Sequence, residues 1–416
     1  MRAEITRHAL DRVPLSLIVD DSTVLVNLNY FFMRDRNLVD GAGRRWEDVP
    51  VVHPEWFTRA WGEWCREEGV RGKFSVVPCP AALGRIDEGL PLFSRAQQDS
   101  WLAMCREVIA PAFDITPEMI THTVVVDPET CAPLPEGIWE QYDWQALPVG
   151  REDLVRRYIA TACQILCNVG LPPQGVTSPG GWGHRTRAFY ARVAGEAVRE
   201  VTGAATPYLF QRVAERGPVD TYVWEQDRAA GTAVGEVVAC TADRTGSWTG
   251  YGEVDADYYL TEDLAGGRLA EVIDRGDPCM LCSHWQGFYG LHAGDQRGFA
   301  ALRTVVERLR RRDPAGERTA WRRPSEIAAY ACAREMATVT VEGDTVRLDL
   351  PVRAAGLTLR LDAPGVAAVA LGGVPLRRVE YKRDLASGTY WPSPERTLVA
   401  FDPPARACAL TVTRAS

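Results

Sequence analysis

The chain has 416 residues, 46% of them apolar, and Asp plus Glu outnumber Lys plus Arg by 55 to 47, a net charge of −8. That length suits one large domain plus a small one, and the acidic balance argues against nucleic acid or an anionic membrane as partner. No apolar run reaches transmembrane length, and Met1-Arg2-Ala3-Glu4-Ile5 lacks the apolar core of a signal peptide, so a cytoplasmic location is expected. The basic residues are almost all Arg, with Lys73 and Lys382 the only lysines. The 11 cysteines are scattered; Cys279 and Cys282 have CxxC spacing but sit in a strand-like run, where residues three apart face opposite ways.

In chain order, the first strand signal is Leu15-Ser16-Leu17-Ile18-Val19, which stops on the adjacent carboxylates Asp20 and Asp21. An aromatic excursion with Tyr30, Phe31 and Phe32 follows. An amphipathic helix comes next, through Trp56, Phe57, Ala60, Trp61, Trp64 and Cys65, with Gly69 as its cap. The pattern then predicts a strand over 73–77, a helix over 94–109 and a third strand over 120–127. A loop containing Glu136, Trp139, Glu140, Tyr142 and Trp144 leads to a helix over 151–169. Next come a short strand (174–177), the turn-rich Ser178–His184, a helix over 185–201 and strands near 208–213, 221–225 and 237–241. After the polar loop 243–257 and a helix near 261–275, the strand 278–283 ends on His284-Trp285-Gln286, before a helix over 294–312. This alternation predicts an α/β fold with parallel strands wrapped by helices, a barrel. From about Met336 the alternation has period two, with no helix between segments, which predicts a small antiparallel β domain. The expected division is 1–333 and 334–416.

In a parallel αβ barrel, functional groups collect at the C-terminal ends of strands. That rule brings together Asp20 and Asp21, His122 to Asp127, Ser178 to His184, Asp243 and His284. Two carboxylates side by side after a buried strand call for a cation or a proton. Carboxylate and imidazole ligands with an open position suit Zn²⁺ or a similar divalent ion, which lowers the pKa of bound water to about 7.

Val19-Asp20-Asp21 on a first strand, His122-Thr123 on a later one, the loop Ser178-Pro179-Gly180-Gly181 and a late strand ending in His284 together resemble the polysaccharide deacetylases of the NodB-homology type. The resemblance covers roughly residues 14–310. It implies an irregular (βα)7 barrel that removes acetyl groups from sugars with a divalent metal, Zn first and Co, Ni or Mn after it. It also implies Asp20 as general base, Asp21 and His122 as metal ligands, and His284 as general acid. The family places its second metal histidine four residues after the first, which is Val126 here, so Asp127 is the nearest replacement, with Glu140, His184 and His53 as others. The 178–181 loop lacks the Arg that normally opens its motif.

Sugar stacking assigns Tyr30, Trp182 and Trp285 to substrate binding, with Glu140 and His184 as polar partners. The expected partner is a small-molecule or oligosaccharide substrate, and homo-oligomer formation stays open. Two other readings use the same barrel. One is a glycoside hydrolase or lyase with a carboxylate pair (Asp20 or Asp21 with Asp127 or Glu140). The other is a non-catalytic carbohydrate-binding protein.

Overall fold

The run Val13–Asp20 forms the central strand of the molecule, and all eight of its residues are buried in the computed structural model. The structure describes residues 1–23, 25–37, 45–142, 144, 151–289, 295–363 and 365–414. Its first ten strands are β1 (Ala3–Ile5), β2 (Val13–Asp20), β3 (Gly72–Ser75), β4 (Phe113–Thr116), β5 (Gly175–Thr177), β6 (Tyr208–Val213), β7 (Tyr222–Asp227), β8 (Thr232–Ala239), β9 (Cys279–His284) and β10 (Thr319–Trp321).

One sheet runs β10-β2-β3-β4, with β9 also paired to β2, and every pairing in it is parallel. A second runs β5-β6-β8-β7, with β7 antiparallel to β8. The two sheets meet at isolated links: a bridge between Glu118 and Thr177, and a bond from Cys240 N–H to the Met280 carbonyl at 2.7 Å. No closed sheet forms among the described residues: in place of the expected barrel the strands make two sheets that meet at seams. Proline explains one seam. Pro117 follows β4, and Pro172, Pro173 and Pro179 flank the three-residue β5, removing the N–H donors that a longer ladder needs.

The strand expected over 120–127 is not there. The third parallel strand is β4, seven residues earlier, and the Val-rich stretch makes only bridges, Val124 to Trp139 and Val126 to Pro133. A run of β-branched residues signals a half-buried extended segment as readily as a sheet strand. The difference places His122 in a loop beyond the strand end.

The C-terminal region forms two antiparallel-rich sheets over a core that includes Leu348, Leu357, Leu359, Val399, Leu410 and Val412. One sheet begins with β1, whose Ile5 pairs with Leu359, so the sandwich takes an edge strand from the N-terminus that a cut at 333/334 assigns to the other part.

His53 precedes the helix Glu55–Glu67 but does not cap it; the N-cap residue is Pro54. Its ring is buried edge-on against Trp285 and Tyr289, and neither nitrogen has a protein partner among the described residues. Burial lowers its pKa to about 4. The unfolded chain therefore takes up this proton near 6.5 and the native chain only near 4, so stability is present above 6.5 and is lost as pH falls through that window. Urea unfolding of wild type from pH 7 to pH 4 should show about 3 kcal/mol more loss than His53→Phe shows; equal losses would rule out His53 as a source.

Candidate active site

β2 delivers Asp20 at its last position, opposite His284 on β9. In a regular strand the next side chain would face away. Asp21 instead has a left-handed backbone (φ 58°), and both carboxyls line one cavity. The Asp21 N–H donates to Glu118 Oε2 at 3.0 Å, which fixes that turn. His122 is left-handed as well (φ 62°), and its N–H donates to the buried Glu140 carboxylate. Conformations that side chains rarely adopt cost about 1 kcal/mol or more each, so the surroundings must hold them.

These two turns assemble a cluster. His122 Nε2 lies 2.9 Å from Asp21 Oδ1 and 3.4 Å from Glu118 Oε1. Asp21, Glu118 and His122 are all buried, and one ligand atom from each falls within 4.8 Å of the others. Burial disfavours charge on all three, but their proximity outweighs it. The carboxylates raise the His122 pKa well above its ordinary value, and His122 draws Asp21 and Glu118 below theirs.

Sequence reading missed Glu118. The signal was the four-residue spacing counted in the other direction: from His122 it reaches Val126 forwards and Glu118 backwards. Asp127 is no part of the cluster. It lies on the surface, where its carboxylate accepts bonds from Glu129 N–H, Thr130 N–H and the Thr130 hydroxyl.

Beside the cluster, Asp20 pairs with Lys73, whose side chain is wholly buried on β3 and also donates to Ser75 Oγ at 2.7 Å. Burial raises the Asp20 pKa to about 6 despite Lys73. Lys73 thus supplies a cation next to Asp20 where the 178–181 loop has no Arg. His284 Nδ1 lies 2.8 Å from Asp243 Oδ2, which also accepts the His284 N–H at 3.0 Å. Burial opposes charge on His284, yet Asp243 and the Asp20–Asp21 pair raise its pKa to about 9. It is therefore an imidazolium at neutral pH, with Nδ1–H held by Asp243 and Nε2–H left to donate.

The remaining expectations fall differently. Glu140 is wholly buried and does not reach the cavity; Thr121 N–H, His122 N–H and the Tyr158 hydroxyl occupy its carboxylate. Trp182 and Trp285 are core, 0% and 1% exposed, against Trp144 and Tyr190 in one case and Phe57, Trp61 and Phe74 in the other. Tyr30 packs on Phe31 and Trp46 rather than on the cavity. His184 does line it, with Nε2 2.6 Å from the Gln211 carbonyl.

The cavity encloses about 470 Å³, within the range of small-molecule sites. Asp20, Asp21, Glu118, His122 and His284 form its charged side. Phe32, Phe210, Val213 and Trp248 are apolar walls, and Asn29, Gln141 and Gln211 add amide groups. The expected carboxylate pairs do not form, because Asp127 is on the surface and Glu140 is spent on backbone.

No protein-family model matches this sequence, and no curated protein matches it. Among solved structures, the chain is similar to a protein proposed to be a polysaccharide deacetylase from Mycobacterium smegmatis. The identity is 16% and the TM-score 0.45, over 82% of this chain and 99% of that one. It is similar more distantly to the endo-β1,6-glucanase BT3312 (10% identity, TM-score 0.31, 100% and 94% covered) and to an α-L-fucosidase (9%, 0.35, 99% and 97%). Likeness at this level carries no functional argument, which rests on the site.

Removing Lys73 would leave Asp20 as an uncompensated buried carboxylate. Lys73→Met should destabilise the protein by about 3–5 kcal/mol, and adding Asp20→Asn should recover much of that loss. A chemical-denaturation double-mutant cycle reads both; strictly additive effects would mean the pair is not coupled.

Proposed function

We propose that this chain is a divalent-metal-dependent hydrolase that removes an acetyl group from an acetylated amino sugar or related glycoside. The observation that carries the reading is the convergence, on one sugar-sized cavity, of a three-ligand cluster with a carboxylate base and an imidazolium acid.

Asp21, Glu118 and His122 would hold the ion. The donors fit: they are close, buried and open to the cavity, and two adjacent carboxylates there call for positive charge. Such an ion supplies Lewis acidity, lowering the pKa of water and polarising a carbonyl. Two oxygen donors and one nitrogen suit Zn²⁺, Co²⁺, Ni²⁺ or Mn²⁺, and a carboxylate at Glu118 moves the set toward the harder of these.

Asp20 takes the proton of the attacking water. With a pKa of about 6 it is mostly ionised at neutral pH, yet basic enough to accept. His284 gives its Nε2 proton to the departing nitrogen or oxygen, while Asp243 fixes the tautomer and stabilises the charged ring. Phe32 and Trp248 present apolar faces to a sugar ring, and Asn29 and Gln211 offer hydrogen bonds to its hydroxyl and amide groups.

Metal analysis of the purified protein should find about one divalent ion per chain, lost in Asp21→Asn and His122→Ala. Acetate release from acetylated chito-oligosaccharides should fall by about 10²–10⁴ in Asp20→Asn. A metal-free wild type that gains nothing from added Zn²⁺, Co²⁺ or Mn²⁺ would remove the reading, leaving a binder as the account of the cavity.

The acid role of His284 has its own signature. Activity should fall as pH rises past the imidazolium pKa. In Asp243→Asn, which keeps a hydrogen-bond partner but loses the charge, that alkaline limb should move to lower pH. A pH–rate profile with an unmoved limb would exclude Asp243 as the positioning residue.

A further inference from the structure

A second cavity, of about 360 Å³, lies at the other end of the parallel strands. Its lining includes Pro14 at the start of β2, Gln174 just before β5 and Thr206 just before β6. The helix Pro324–Met336, the N-terminal segment 7–12 and residues 353–355 of the sandwich complete it. It therefore sits where three parts of the chain meet.

Its charge is opposite to that of the protein. Arg7, Arg12, Arg322, Arg334 and Arg353 line it, against two carboxylates, Asp220 and Glu326, in a chain of net charge −8. Those carboxylates are engaged elsewhere or by one arginine: Asp220 pairs with Arg7 at 3.4 Å, and Glu326 pairs with Arg71 at 3.2 Å.

The other four arginines have no carboxylate partner among the described residues. Arg12 donates to the Lys382 and Arg383 carbonyls, Arg334 to the Arg7 carbonyl, and Arg353 to the Pro403 and Pro404 carbonyls. Carbonyls orient a guanidinium without neutralising it. The Arg12 Nε is buried with no hydrogen-bond partner among the described residues, and Arg322 is fixed through its backbone N–H, which donates to the Leu15 carbonyl at 2.8 Å. Burial and the nearby Arg322 push the Arg12 pKa down, against the opposing pull of Asp313, Glu317 and Asp384. Arg12, Arg322 and Arg334 are half-buried and Arg353 is exposed, and an anion seated among them would relieve the repulsion that solvent screens only in part.

We infer that this cavity is a binding site for a small multivalent anion of the phosphate-ester class, separate from the proposed catalytic centre. Planar guanidinium forks match phosphate oxygens two at a time, and the volume accepts a small phosphorylated molecule. Because Arg12, Arg322 and Arg353 come from the N-terminal segment, the strand-bearing part and the sandwich, bound anion would tie those parts together. The inference does not depend on the deacetylase reading.

The test uses the full-length protein with inorganic pyrophosphate and with glucose 6-phosphate, against chloride at matched ionic strength. Both probes should raise Tm by mass action and bind with one site per chain in calorimetry. Arg322→Ala and Arg353→Ala should each weaken binding by about tenfold or more. Arg66→Ala, an exposed arginine on the helix Glu55–Glu67, should leave it unchanged, and so should Asp21→Asn, which alters the proposed metal cluster. Absence of any response in the wild type, an equal response in every arginine variant (an adventitious ion only), or a response lost in Asp21→Asn but kept in Arg322→Ala would each overturn the inference.

Discussion

Three carboxylates, Asp20, Asp21 and Glu118, are buried at or just beyond the ends of β2 and β4 in the parallel sheet, and the need to compensate them organises the cavity end of the molecule. Two kinds of cation answer them. Lys73 answers Asp20 as a fixed charge that the core encloses completely. His122 sits between Asp21 and Glu118, where a protonated imidazole and a divalent ion serve the same electrostatic need and exclude one another. His284 faces the same group but is held by Asp243, outside the cluster. Asp20 is thus set apart from Asp21 and Glu118 by the cation it contacts, not by residue type. A buried pair of this sort is seldom the most stable solution, and its retention fits a site better than a core.

Charge alone does not aim the side chains; backbone conformation does. Asp21 and His122 both sit in the left-handed region, and each is held by a carboxylate accepting its own N–H, from Glu118 and Glu140 respectively. Glu140 shows the division of labour. Its carboxyl rises to about 7 through burial, and it is occupied by two backbone N–H groups and Tyr158, so it shapes the loop that presents His122 without reaching the cavity. Glu118 does both jobs, since one oxygen receives the Asp21 N–H while the other faces His122.

What the sequence disclosed follows from this physics. A buried apolar run ending on two carboxylates located β2 and its site, a late strand ending in His located β9, and period-two patterning located the C-terminal sheets. Those signals are local. Glu118 was missed because it stands in an irregular segment after Pro117, where only the four-residue spacing back from His122 marks it, and its place comes from a tertiary contact with a residue 97 positions away. Lys73 was noticed only for its rarity, because nothing local says which carboxylate a buried ammonium will meet. The tryptophans failed for another reason. A strand-end aromatic can point into a cavity or back among the helices, and Trp285 and Trp182 took the second course, packing with Trp61 and Tyr190. The Val-rich 120–127 stretch looked like a strand because extended, half-buried segments share that composition whether or not a ladder forms.

The placement of β1 bears on how the two ends of the molecule are linked. The chain begins in the sandwich, where Ile5 pairs with Leu359, and eight residues later enters β2, whose other end carries Asp20. Between them, Arg7 and His8 reach the Gly276 carbonyl, and Arg7 the Asp277 carboxylate, just before β9. The two strands that present Asp20 and His284 are therefore both anchored, at their far ends, by the segment that leaves the sandwich. Because β2 and β9 are in direct register from Leu15–Cys279 to Asp20–His284, a shift of either strand at that anchor would move Asp20 relative to His284. The edge strand β1 thereby ties the sandwich to the register of Asp20 against His284, a physical reason for an edge strand that the chain could otherwise have drawn from its own C-terminal part.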